Sequence, residues 1–291
     1  MTLRRYLQLD VFADRPGAGN PLAVVLDAEG LSDEAMQAIA RWTRLPETTF
    51  VRPTDARDAD YGIRIFSPRR EVPFAGHPSV GTAHAVLESG IAMPRRGVLV
   101  QDGIAGKLPL RVEGDGKRRT LSVRTPRASL LRVGAPAESL LAAALAGLPQ
   151  GELPPALMDG GRRWWLAEVA DEASLRSATP DWNAIAALAA DTDSMGLCVF
   201  ARSADPVYYL AVRAWVGAPG CFEDAASGAA NATLAAWLAL RDALPRADGF
   251  YRVSQGREVG HDAIIELHVD DAGDVWSGGR VVTVVRGTID W

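Results

Sequence analysis

Hydrophobic and polar positions along the first third of the chain switch between two periods. Leu7, Leu9 and Val11 alternate with polar residues in LQLDVF, which predicts a half-buried strand, and Pro16 to Gly19 then break it. PLAVVL at 21–26 is continuously apolar and reads as a buried strand. Met36, Ile39, Ala40 and Thr43 then recur at helical spacing, predicting a helix that runs to Arg44. Ser32 is its natural N-cap, and Asp33 and Glu34 favour the dipole in its first turn. LPETTFV at 45–51 and YGIRIF at 61–66 are strand-like, and GHPSVG at 76–81 opens a helix to about Leu87. Short strands follow at 98–101, 108–112 and 120–124, the last two joined by the turn EGDGKRR.

TPRASLLRVGAP at 125–136 keeps no period and contains two prolines, so a boundary is placed there, giving half-domains 1–125 and 126–291. The last strand is free to return to the first half. Beyond the boundary, alanine-rich helices are expected at 136–147 and 182–191, the second started by Asp181 after Pro180. Strands are expected at 196–202, 206–215, 248–254, 263–269 and 280–286, with a long helix from Ser227 to Leu240. Strands and helices do not alternate cleanly in either half, which argues for an α+β (mixed α/β) fold over a doubly wound parallel sheet.

One internal similarity stands out. AGHPSVGTAHAVL at 75–87 aligns without gaps on FEDAASGAANATL at 222–234, matching Gly81 with Gly228, Ala83 with Ala230, Ala85 with Ala232 and Leu87 with Leu234. That register sets His77 opposite Asp224. The match is either a coincidence among small residues or the trace of two related half-domains.

Charge and composition narrow the function. A net charge of −5 leaves no basic footprint for nucleic acid or an acidic membrane. Hydrophobic residues at 48% and charged residues at 23% are globular values. Two cysteines, Cys198 and Cys221, make no disulfide framework, and with four histidines they offer no zinc spacing. No run approaches the roughly 18 apolar residues of a membrane helix, so a soluble, cytoplasmic protein is expected.

Small residues where a turn meets a helix let a ligand approach backbone N–H groups that have no helical partner, a setting suited to a carboxylate. His77 and Asp224 sit at two such turns. Either they reach that ligand, or Asp224 is an N-cap and His77 is bonded locally. Glu47 is either a carboxyl whose buried neighbours raise its pKa toward values useful for proton transfer, or an exposed glutamate at a strand start. Cys221 reads as a thiol acid/base or as a small buried hydrophobe. His84 reads as a packed core residue, as do the Met and Trp positions, and His261 and His268 have no motif around them. The chain has no P-loop, G-x-G-x-x-G, G-x-S-x-G or H-E-x-x-H pattern and no lysine in a pyridoxal context, so its chemistry is expected to need no metal and no cofactor.

YLQLDVFADRPGAGNPLAVVLDAEGLSDEAMQAIARWTRLPETTFV, IRIFSPRREVPFAGHPSVGTAHAVL, FEDAASGAANATLAAWL and the closing GRVVTVVRGTIDW together resemble the PhzF family of phenazine-biosynthesis-like isomerases over nearly the full length. The resemblance implies a diaminopimelate-epimerase-like fold: two pseudo-symmetric half-domains, each a sheet wrapped around a central helix, with the active site in the cleft between them. It implies a homodimer working without metal or organic cofactor. Phenazine-pathway members of the family isomerise trans-2,3-dihydro-3-hydroxyanthranilate. By the same resemblance Glu47 matches the catalytic glutamate, His77 and Asp224 match residues that flank the substrate, and Gly76 and Gly228 match glycines whose N–H groups hold its carboxylate. The thiol pair of the related epimerases and racemases is absent. The family's E-D-P-A-T-G-S reads EDAASGA here, with Ala225, Ser227 and Ala229 in place of proline, threonine and serine, and Pro46 precedes Glu47 where serine is common. Ala229 removes a substrate-facing hydroxyl, a hydrogen bond worth roughly 0.5–1.5 kcal/mol.

The function expected is an isomerase moving a proton between carbons of a small carboxylic acid, with Glu47 as acid/base. The alternatives are a catalytically silent binder of small acids on the same scaffold, or a racemase or tautomerase of another acid.

Overall fold

The alternation of Leu7, Leu9 and Val11 does build a strand, β1 (Leu3–Val11), whose buried face looks onto a helix. The computed structural model describes residues 2–135, 138–218 and 220–291, which divide into two units, one running up to Arg124 and completed by Gly278–Trp291, the other Thr125–Ser277.

Unit 1 continues with β2 (Asn20–Val25), α1 (Asp33–Thr43), β3 (Glu47–Arg52), β4 (Tyr61–Phe66), β5 (Glu71–Val72), α2 (Gly76–Glu88), β6 (Val98–Gly103), β7 (Gly106–Glu113) and β8 (Thr120–Arg124). β1 and β2 are antiparallel, β2 and β3 parallel, β3 and β4 antiparallel, β4 and β6 parallel, and β6, β7 and β8 antiparallel. β5 lies antiparallel on the end of β4, and the chain's last strand, Val281–Asp290, pairs with the free edge of β1.

This sheet wraps α2, which packs against β1, β2, β3, β6, β8 and the last strand. Eleven of its 13 residues are buried, which is why GHPSVGTAHAVLE carries no polar stripe. Close approach depends on Gly81, where a Cβ would lie 2.5 Å from Leu22 Cδ2 and 2.8 Å from Val11 Cγ2. α1 covers the sheet's other side. Ser32 caps it by accepting from the Ala35 N–H, Arg44 ends it in the left-handed region, and Met36, Ile39 and Ala40 pack with Val25, Phe50 and Phe66.

Unit 2 contains β9 (Ser129–Val133), α3 (Ser139–Ala144), β10 (Ala156–Asp159), β11 (Arg163–Glu168), α4 (Glu172–Ser177), α5 (Trp182–Thr192), β12 (Gly196–Arg202), β13 (Leu210–Val216), β14 (Phe222–Asp224), α6 (Gly228–Leu240), β15 (Phe250–Gln255) and β16 (Ala263–Val269), before β17 (Val275–Gly279) leads to the last strand. Its pairings run β9-β10-β11-β12-β13-β15-β16, with β11–β12 and β13–β15 parallel and β14 antiparallel on β13. From β10 onward this repeats the topology of unit 1 from β1 onward. The two sheets are built on one plan.

The repeat fixes a register different from the ungapped alignment. Phe66 pairs with Glu71 and Ile65 with Val72, while Trp215 pairs with Glu223 and Ala214 with Asp224. Each glutamate is followed after the same interval by a 13-residue helix starting at Gly76 or Gly228. Gly76 therefore corresponds to Gly228 and His77 to Ala229, a shift of register that small residues permit because alanine and glycine recur along both helices.

Several elements differ from expectation. The helix expected at 136–147 is the short α3; residues 136 and 137 of that expectation lie outside the described residues. The aperiodic boundary segment carries β9, fully exposed along its length and so without a buried face to impose alternation. Trp165, Trp215 and Trp237 are core, but Trp42 (64% exposed) and Met93 (71% exposed) are not; Trp42 packs on Trp291 with ring centroids 6.3 Å apart. Among the described residues no helix is long and apolar enough to cross a membrane.

Candidate functional site

Glu47 opens β3, immediately after the left-handed Arg44 has turned the chain out of α1. His77 is the second residue of α2. The sheet's wrap around that helix brings them together, with His77 Nε2 3.3 Å from Glu47 Oε2, both side chains largely buried. The contact lacks the alignment of a hydrogen bond at Nε2. Burial pushes the His77 pKa down to about 3, so its imidazole is neutral at physiological pH. Glu47 is thus neither the exposed strand-start glutamate nor remote from the histidine.

The start of α2 has a specific donor pattern. Its N-cap is Ala75, whose methyl group offers no acceptor, and the first intrahelical bond runs from Ser79 N–H to the Ala75 carbonyl. Pro78 has no N–H, so Gly76 and His77 hold the first-turn donors that precede the ladder. Ser79 Oγ also donates to the Ala75 carbonyl and accepts from Gln101 Nε2, both at 3.0 Å. A buried side-chain relay thereby holds the helix entry in place.

Unit 2 presents the turn Asp224–Ser227 ahead of α6. Asp224 Oδ1 accepts from the Ala226 N–H at 3.2 Å, and the N-cap is Ser227, whose Oγ accepts from the Ala230 N–H. This corrects the reading of Asp224 as the cap: it ends β14 and its carboxylate bonds within the turn. Asn231 N–H bonds the Ser227 carbonyl, leaving Gly228 and Ala229 ahead of the helical ladder, as Gly76 and His77 are in unit 1. Cys198 stands on β12, paired with Ala214, which pairs in turn with Asp224. Burial first, and the Asp224 charge second, push the Cys198 pKa up to about 12, so this thiol is no ready acid/base at neutral pH. Cys221 is exposed rather than a buried hydrophobe, with Sγ directed to the Trp182 carbonyl.

A matching ion pair anchors the strand before each helix. Arg64 donates from Nε and Nη2 to both carboxylate oxygens of Glu71, at 2.6 and 2.7 Å. Arg213 does the same to Glu223 at 2.9 and 2.7 Å. The second pair is the more buried, at 5% and 4% side-chain exposure, and Arg213 also donates to the carbonyls of Leu175 and Ala178.

The profile of the family described as "Phenazine biosynthesis-like protein" matches residues 9–287. The chain belongs to that family. Trans-2,3-dihydro-3-hydroxyanthranilate isomerase of Pseudomonas aeruginosa is 34% identical over 279 residues, covering 94% of this chain and 92% of that protein. A Schizosaccharomyces pombe protein named "Antisense-enhancing sequence 1" is 31% identical over 99% of both chains. The Bacillus anthracis phenazine biosynthesis protein of the PhzF family superposes with a TM-score of 0.85 over 100% of both chains at 23% identity. A probable proline racemase from Agrobacterium radiobacter shares the fold at a TM-score of 0.66 and 15% identity, over 99% of this chain and 93% of the other. The PhzF-family chain is therefore an isomerase on a diaminopimelate-epimerase-like fold. Among its described residues no cluster of three or more His, Cys, Asp or Glu side chains is placed to hold a metal.

Two residues of unit 2 escaped the sequence reading. Gln255 bonds the Asp224 turn, and Gly196 holds the position in unit 2 that Glu47 holds in unit 1. The first had a signal: Tyr251, Val253 and Gln255 alternate on a buried face, and glutamine is out of place there unless it has partners.

Proposed function

We propose that this protein is a cofactor-independent isomerase that moves a proton between carbons of a small carboxylic acid, with Glu47 as the acid/base. The substrate class is the one named for its Pseudomonas aeruginosa relative, trans-2,3-dihydro-3-hydroxyanthranilate. A carboxylate that removes a proton from carbon becomes the acid that returns it, so the electron pair stays on the substrate and no co-reactant is required. His77, held neutral by burial, passes or receives a proton beside Glu47 without creating a buried charge. Asp224 orients an amino or hydroxyl group. The first-turn N–H groups at Gly76 and Gly228 are the carboxylate donors, and Ala229 leaves its position without a hydroxyl.

One observation carries this reading. The positions of unit 2 that correspond to Glu47 and His77 are Gly196 and Ala229, by the pairings of Thr48 with Phe66 and of Leu197 with Trp215. At Gly196, φ is +147° and a Cβ would lie 2.1 Å from the Trp215 carbonyl oxygen, so no side chain fits. A second base at the position matching Glu47 would need a side chain at Gly196, and none fits there. A single carboxylate–histidine pair suits removal and return of a proton by the same base. With this reading go the homodimer that the resemblance implies and the cytoplasmic setting expected from the sequence.

The test is proton NMR of trans-2,3-dihydro-3-hydroxyanthranilate in D₂O with the wild type and Glu47→Gln. Conversion with deuterium at the receiving carbon is expected for the wild type, and a loss of about 10²-fold or more for the variant. Near-normal turnover by folded Glu47→Gln refutes the assignment of the base. Exchange with another small acid, and none with this one, moves the substrate; no exchange with any leaves a silent binder.

A further inference from the structure

Gln255 ends β15 with its side chain completely buried, and every polar atom of its amide is engaged on one short segment. Its Nε2 donates to the Asp224 carbonyl at 2.7 Å. Its Oε1 accepts from the Ser227 N–H at 3.2 Å and from Asn231 Nδ2 at 2.7 Å. Asn231 returns to the same place, donating to the Ser227 carbonyl at 2.9 Å. One amide therefore fixes both ends of the Asp224–Ser227 turn and the first turn of α6. The next residue seals the arrangement: Gly256, at φ +95°, lies so close to the turn that a Cβ would stand 2.3 Å from the Ala225 carbonyl oxygen.

This bonding has a selective consequence. The Asp224 carbonyl is the acceptor that the Gly228 N–H would meet if the helix were extended backward by one turn. Gln255 occupies that acceptor and also satisfies the Ser227 donor, while Ser227 Oγ takes the Ala230 N–H. What remains uncommitted in the first turn is the pair of donors at Gly228 and Ala229. Unit 1 uses a related device, where Gln101 on the strand after α2 holds Ser79 and through it the Ala75 carbonyl. A glutamine suits the task because it donates and accepts at once; an aspartate or glutamate there would be acceptor-only when ionised.

We infer that Gln255 is the positioning residue of this site, fixing the Asp224 backbone and aiming the Gly228 and Ala229 N–H groups at the substrate carboxylate. It touches no reacting atom. The inference rests on the proposed reading for the carboxylate at Gly228 and for its kinetic consequence. The titratable and charged groups around this strand end are Asp224 itself, Arg257 and Glu258 just beyond Gly256, His261, whose N–H bonds the Gly256 carbonyl, Asp262, which bonds Arg257, and Arg176 of α4, which bonds both Glu258 and Ser254.

The experiment uses Gln255→Leu, which loses both functions of the amide, and Gln255→Glu, which keeps its shape. Ionised, the glutamate still accepts from Ser227 and Asn231 but cannot donate to the Asp224 carbonyl; protonated, it does both. Turnover of trans-2,3-dihydro-3-hydroxyanthranilate is followed from pH 8 to 5.5, with circular dichroism reporting the folded fraction. Folded Gln255→Leu is expected to lose about tenfold or more in kcat/KM at every pH, as two or more buried hydrogen bonds disappear. Gln255→Glu is expected to match that loss at pH 8 and to recover toward wild type as the pH falls, a profile that a purely structural role does not produce.

Binding of 3-hydroxyanthranilate, an aromatic acid that does not undergo the isomerisation, is read in parallel from the Gly228 and Ala229 amide resonances. About tenfold weaker binding to Gln255→Leu supports the inference even if the wild type fails to turn over the dihydro acid, in which case only the isomerase reading falls. If the wild type binds neither acid, the ligand-free spectra decide, with amide shifts in Gln255→Leu expected to concentrate between Asp224 and Asn231. Turnover and affinity within twofold of wild type in folded Gln255→Leu, or unchanged amide shifts across that segment, overturn it.

Discussion

His77 makes the folded protein sensitive to acid in a way that can be isolated from every carboxylate. The imidazole is 8% exposed, and burial lowers its pKa from an ordinary 6.5 to about 3. Between those values the unfolded chain binds a proton that the native state refuses, so stability falls by about 1.4 kcal/mol for each pH unit below 6.5. Above 6.5 both states hold neutral imidazole and there is no cost; at pH 5 the cost reaches about 2 kcal/mol. Urea unfolding of the wild type and of His77→Gln from pH 8 to 5 measures it, because the acidic groups elsewhere contribute equally to both. The expected result is a variant whose stability relative to wild type improves by about 2 kcal/mol between pH 7 and pH 5. Parallel curves refute the burial argument. The opposite trend would mean that Glu47, 3.3 Å away, holds a proton on the native imidazole and raises its pKa, making the pair an ion pair rather than a neutral one.

Two stability predictions follow from the repeat. Gly196→Ala puts a Cβ 2.1 Å from the Trp215 carbonyl oxygen at a backbone angle that L-residues rarely adopt, and is expected to cost at least about 2–3 kcal/mol in thermal or urea unfolding; a loss below about 0.5 kcal/mol would show that the strand shifts freely. Arg213→Met leaves Glu223 buried without its partner and is expected to cost about 3–5 kcal/mol. Arg64→Met, at a pair with 19% and 23% side-chain exposure, is expected to cost about 1 kcal/mol, and equal losses at the two sites would contradict the dependence on burial.

What the sequence disclosed follows from how much each element buries. β2 and the helices α1, α2, α5 and α6 each place a run of apolar or small residues against a sheet or core, so period and capping residues reveal them. β9 is exposed throughout, β14 is three residues long, and α4 spans six, too few for a period to appear. RWWLAE of β11 is a short buried run and could not be told from a helix segment. Trp42 is not core because it lies at the flank of the Met36–Ile39–Ala40 face, one turn beyond Ile39, where α1 leaves it exposed to pack on Trp291. The chemistry divides in the same way. Glu47, His77 and Asp224 were named from motifs, yet the 3.3 Å contact between the first two arises from the sheet's wrap around α2, to which residues 30 positions apart give no local clue.

The two units differ where their common plan leaves room to differ. A helix buried on all sides must be entered from an anchored strand and must have its first turn satisfied, and both units meet those demands with a bidentate arginine–glutamate pair and a buried glutamine. Losing either device leaves polar groups stranded in a nonpolar interior; the arginine–glutamate pairs hold corresponding positions, whereas Gln101 corresponds to Val253, so each unit places its glutamine differently. No such demand acts on the first residue of β3 or of β12. One is Glu47, beside a neutral histidine; the other is Gly196, pressed against the Trp215 carbonyl where no base can stand. The same steric contact that closes β12 onto β13 thus confines the carboxylate–histidine pair to unit 1. Placing a side chain at that position of unit 2 would require rebuilding the backbone of β12, not merely exchanging a residue.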